Sequence, residues 1–151
     1  LQGLHGEVVG VEDRDRSRGL HLVLRGVVRG GAQVGTTSYN AAKDQVQPSA
    51  AVAVFDTNDL AVQALKNKQI DGIVADLPTA FYMTAAQLDN GVIVGQLPAA
   101  GGSQEQFGMV LGKGSALTPC VSKAVDALRA DGTLAKLATQ WLTNAGAPAL
   151  K

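Results

Sequence analysis

After residue 31 the apolar positions fall into two alternating spacings. Short apolar runs at Ala32–Val34, Ala51–Phe55, Ile70–Ala75 and Val92–Leu97 read as buried strands, each bounded by turn or capping residues. Between them the spacing lengthens to that of helices. Thr36 or Thr37 caps a helix over Ser38–Val46 that stops near Pro48. Thr57 or Asn58 caps the next, which carries Leu60, Ala61, Ala64 and Leu65 on one face. Pro78 suits the first residue of a third. Strands alternating with helices predict an α/β fold with a largely parallel sheet covered on both faces. After a turn or linker at Pro98–Ser103, a fifth strand is expected over Gln106–Leu111. Two helices complete the pattern, with stripes of Leu117, Val121, Val125 and Leu128 and of Leu134, Leu137, Ala138 and Trp141, broken at Asp131–Gly132. Each stripe needs a partner to cover it.

Residues 1–31 read differently. Arg14, Arg16, Arg18, Arg25 and Arg29 lie there, Arg129 is the only later arginine, and the first lysine is Lys43. Apolar stretches at Val8–Val11 and Leu20–Leu24 surround a charge run, Glu12–Gly19, so a short hairpin or a poorly ordered arm is expected. The length of 151 residues suits one domain or two small lobes, and 46% apolar residues allow a core. Thirteen basic and thirteen acidic residues cancel, which argues against a nucleic-acid partner. An aromatic content of 4% also leaves little for base stacking. The run Ala50–Phe55 is far short of the roughly 20 residues of a membrane-spanning helix. The opening LQGLHGEVVG has no basic leader with an apolar stretch behind it, so no signal peptide is expected in this chain. Cys120 is the single cysteine and reads as a small packing residue.

Two places carry candidate chemistry. In Gly35-Thr36-Thr37 the glycine permits a tight turn, and the threonines stand at a helix N-terminus, whose amides and dipole favour a carboxylate or phosphate. The same threonines also serve as plain helix caps. Asp76 follows the third strand, where open α/β sheets bind ligands, and a carboxylate there suits an ammonium group. It equally suits an N-cap for the helix at Pro78. Donors and an acid on neighbouring strand ends fit the two charged ends of a free amino acid. Gln33 stands near the same site, while Tyr39, Phe81 and Tyr82 read as core residues. His5 and His21 are too few for a metal site, and no cofactor is implied. Walker, dinucleotide and nucleophile-elbow patterns are absent, so no catalytic constellation emerges.

The segments QVGTTSY, VQALKNKQIDGIVADLPTAFY, QEQFGMVLGKGSAL and VSKAVDALRADGTLAKLATQW, in this order, resemble the second half of polar amino-acid-binding proteins. These are extracytoplasmic solute-binding proteins, of the family 3 type, that feed ABC importers. The resemblance runs over about residues 24–143. It implies a periplasmic-binding-protein-like fold of two α/β lobes closing on a ligand. Residues 32–104 would form one largely complete lobe, the second ligand-binding lobe. Residues 105–151 would supply a hinge strand and the C-terminal helices of an incomplete first lobe.

By the same resemblance, the backbone at Gly35, Thr36 and Thr37 holds the ligand carboxylate, with Ser38 contributing. Asp76 receives the ammonium group, and Gln33 touches the ligand side chain, which it hints is polar. The implied partners are a free amino acid and an ABC transporter permease, and the implied location is extracytoplasmic. Residues 1–31 do not match the family's first half, with its aromatic wall and carboxylate-gripping arginine. A truncated or frame-shifted product with weakened binding is therefore expected. Two rival readings follow. One is a cyclohexadienyl-dehydratase-like enzyme on this fold, with Glu105 as the spare acid. The other is a sensory or interaction module that self-associates through the apolar faces at Leu117, Val121, Leu137 and Trp141.

Overall fold

The computed structural model describes residues 29–97 and 108–143, which fall into two units. Of the arm expected over 1–31, residues 1–28 lie outside the described residues, as do the linker at 98–103 and Glu105, while Gly30 and Gly31 belong to a strand.

The first unit is built on three parallel strands, β1 (Gly30–Gln33), β2 (Ala53–Phe55) and β3 (Gly72–Val74), in the order β2-β1-β3. Ala32 is paired with Val54 on one side and Val74 on the other. Parallel neighbours need crossovers, and helices supply them. Helix α1 (Thr37–Ala41) widens into a π turn over Ala42–Val46 and connects β1 to β2. Helix α2 (Asn58–Lys66) connects β2 to β3. Helix α3 (Leu77–Tyr82), with its own π turn at Met83–Gln87, follows β3.

Strand alternation sends Ala32 and Val74 to one face, where Ala41, Ala42, Ala80 and Leu97 complete a core. Ile73 and Ala75 go to the other face, with Ala61, Val62, Ala64, Ile70 and Met83. Both faces are therefore covered. At the start of β1 and β3, Arg29 and Asp71 lock the two strands. The guanidinium Nη2 donates to Asp71 Oδ1 at 2.8 Å, Arg29 N donates to Oδ2 at 3.0 Å, and Asp71 N donates to Arg29 O at 2.8 Å.

Several boundaries differ from the sequence reading. β1 starts at Gly30 rather than Ala32 and ends at Gln33, which leaves Val34 exposed in a turn. β2 is shorter than expected at its start and β3 at both ends. Thr57 caps α2 through the Leu60 N–H, so Leu60 lies in the first turn and is exposed, while Val62 is buried. The strand expected over Val92–Leu97 is absent. Only isolated bridges occur at Ile93 and Gln96, and the buried residues include the adjacent pair Val94 and Gly95 together with Leu97, which breaks strict alternation.

In the second unit α4 (Thr118–Ala130) turns into α5 (Thr133–Ala138), which ends in a π turn at Thr139–Thr143. The corner is Asp131–Gly132. Gly132 takes φ of 79°, and the Asp131 carboxylate accepts from Thr133 N at 2.8 Å. Residues 108–111, the described part of the expected fifth strand, form no strand. The described residues of this unit offer no second strand to pair with. The helix stripes form as read, but neither helix has a buried residue. Val121, Val125, Leu134 and Ala138 are half-buried, while Leu117, Leu128, Leu137 and Trp141 are exposed.

Two predictions follow from this packing. A Cβ on Gly31 would stand 2.7 Å from Ile70 Cδ1 and 2.8 Å from Phe55 Cε2. Gly31→Ala is expected to destabilise the protein by about 1–3 kcal/mol through overpacking, read as a lower Tm in thermal denaturation. At the corner, hydrogen bonds from the Thr133 side chain and backbone hold the Asp131 carboxyl below its ordinary value. A depressed folded pKa gives stability that is full above the ordinary carboxylate pKa and fades as the pH falls through the folded value. The Thr133 amide resonance should thus hold steady from neutral pH down to about pH 4 and shift only in stronger acid. Asp131→Asn should remove that acid shift.

Candidate functional site

The carboxyl ends of all three strands lie along one edge of the sheet. The chain leaves β1 for β2 on one side and then returns to β3 on the other, so the order reverses between β1 and β3. Open α/β sheets bind ligands at such a reversal, outside the strand ends. Two residues beyond the paired Ala32 and Val74 come Val34 and Asp76. The turn into α1 and the turn into α3 therefore flank this position.

The first turn contains Gly35, Thr36, Thr37 and Ser38. Gly35 takes φ of 70°, and no atom lies within 4 Å of where its Cβ would be. The glycine answers a backbone demand, and the space above it is open. The choice of cap falls to Thr36. Its hydroxyl donates to Gln33 O at 2.8 Å and accepts from Tyr39 N at 3.2 Å. That hydroxyl's one donor is thus spent locally. Thr37 is exposed and opens α1, where its N–H has no acceptor within the helix. Ser38 is buried.

The second turn contains Asp76. Both readings of this residue concern its carboxylate, and the capping one is realised: Oδ1 accepts from Thr79 N at 3.0 Å and Oδ2 accepts from Thr79 Oγ1 at 2.7 Å. Asp76 remains half-buried. A carboxylate has about four lone-pair positions, and Thr79 fills two. Capping therefore leaves acceptor capacity for a cation.

Gln33 lies slightly apart from this pair. Its Nε2 donates to Asp56 O at 3.2 Å, in the loop after β2, on the side of β1 away from β3. The amide is held with its carbonyl oxygen not used by that bond. Tyr39 packs against the core as expected, whereas Tyr82 is exposed at 61% because it ends α3 on the solvent side. Thr79 was missed by the sequence reading, although its place three residues after Asp76 is the spacing at which an N-cap meets the helix's first turn. The Asp56 carbonyl, a backbone group, had no sequence signal.

Among the described residues no group of three or more His, Cys, Asp or Glu is placed to hold a metal, and no helix is long and apolar enough to cross a membrane. His5, His21 and Glu105 lie outside the described residues. Cys120 is exposed rather than packed, because α4 has no buried side.

No family model matches the sequence. Solved structures do. An ancestral arginine-binding protein bound to arginine is 30% identical, with a TM-score of 0.60 over 90% of this chain and 59% of its own. The ancestral amino acid-binding protein AncCDT-1, a precursor of cyclohexadienyl dehydratase, is 26% identical, with a TM-score of 0.62 over 91% of this chain and 57% of its own. A mutant of ArgBP from T. maritima is 25% identical, with a TM-score of 0.60 over 90% of this chain and 57% of its own. The chain thus spans less than two thirds of the length of the structures it matches. Its fold is the α/β fold of periplasmic-binding-protein-like amino-acid binders, represented in part.

Proposed function

We propose that this chain provides the amino-acid-binding lobe of an extracytoplasmic solute-binding protein that delivers its ligand to an ABC importer permease. One observation carries the reading: the N-terminus of α1 and the Asp76 carboxylate lie on adjacent turns across the reversal point of the sheet. Amides at Gly35, Thr36, Thr37 and Ser38 receive the ligand carboxylate, with the helix dipole assisting. Asp76 receives the ammonium group through the lone pairs that Thr79 leaves open. The Gln33 carbonyl oxygen addresses a donor on the ligand side chain. Arginine and glutamine, bound by the ancestral arginine-binding protein in two structures, have such donors.

Residues 32–104 are assigned to this lobe. Residues 105–151 are assigned to a hinge crossing and to helices of the other lobe, and of residues 1–31, which do not follow the sequence pattern, Gly30 and Gly31 join the first lobe through β1. An enzymatic role draws less support. AncCDT-1 is itself an amino acid-binding protein, and the acid at this site is held as a hydrogen-bond acceptor.

The test is a thermal-shift titration with L-arginine and L-glutamine. Ligand at ten times its Kd stabilises the folded state by about 1.4 kcal/mol, a rise in Tm of a few degrees. Asp76→Asn separates the two roles of the carboxylate, because Asn caps a helix about as well as Asp but has no charge. The ligand-free Tm should stay close to that of the unaltered chain while the ligand shift disappears. Asp76→Ala should lose the shift and also about 1 kcal/mol of stability with the cap. A full shift in Asp76→Asn would leave Asp76 as a cap alone, and no shift in the unaltered chain would end the amino-acid reading.

A further inference from the structure

We draw no further inference here: the strongest candidate, the exposed apolar surface patch that runs from Leu117 along α4 and α5 through Leu128 and Leu137 to Trp141, carries nothing because nothing in the structure shows what covers it.

Discussion

The sheet depends on how little side chain its central strand carries. β1 is Gly30-Gly31-Ala32-Gln33, and its first three residues are buried between β2 and β3. The space over Gly31 is taken by the Ile70 methyl and the Phe55 ring, so the neighbours' bulk is seated on the middle strand. On the opposite face Ala32 lets Ala41, Ala42 and Ala80 approach closely. Small residues on a strand facing small residues on helices bring backbones together, and Ile73 and Met83 fill the remaining volume. This close approach fixes where the helices begin. Each starts within a few residues of its strand, at the same edge.

At that edge capping uses atoms that the proposed amino-acid site would also need, and it does so differently at the two candidate turns. The Thr36 hydroxyl has one proton, and Gln33 O receives it. It has none to offer an incoming carboxylate, so Thr36 could hold an anion only through its backbone amide. Asp76 is an acceptor on both oxygens, and two bonds from Thr79 leave it acceptor capacity. The local hydrogen bonding thus assigns opposite characters to the two turns, donating at α1 and accepting at Asp76. An amino acid, with an anionic and a cationic end, matches that polarity in one orientation only.

The alternation of strands and helices was legible in the sequence, and so were the cap positions to within a residue, at Thr36 or Thr37, at Thr57 or Asn58 and at Asp76, because each rests on local chemistry; the choice among them came from the structure. The start of β1 was not. Arg29, Gly30 and Gly31 share the composition of the arginine- and glycine-rich residues before them, and glycine has low strand propensity. Their membership in the sheet comes from Asp71, forty-two residues on, whose carboxylate takes the Arg29 backbone and side chain together. Val92–Leu97 failed for the opposite reason: its composition is strand-like, but among the described residues it forms only isolated bridges and no ladder. In α4 and α5 the apolar stripes were read correctly, yet Leu117 and Trp141 are exposed. Periodicity specifies which side of a helix favours burial and says nothing of the surface that buries it.

The two edges of the sheet differ in how their polar groups are used. At the amino edge Arg29 and Asp71 bond directly across β1 and β3, backbone to backbone, backbone to side chain and side chain to side chain. The polar groups there are used in joining the strands. At the carboxyl edge Thr36 bonds to Gln33 and Tyr39, and Asp76 bonds to Thr79, so each turn is satisfied by its own chain. Neither residue reaches across to the other turn. The same two strands are therefore fastened together at one end, while at the other neither Thr36 nor Asp76 joins the turns. A ligand that bridges those turns has only to complete a connection, without breaking one that the fold requires.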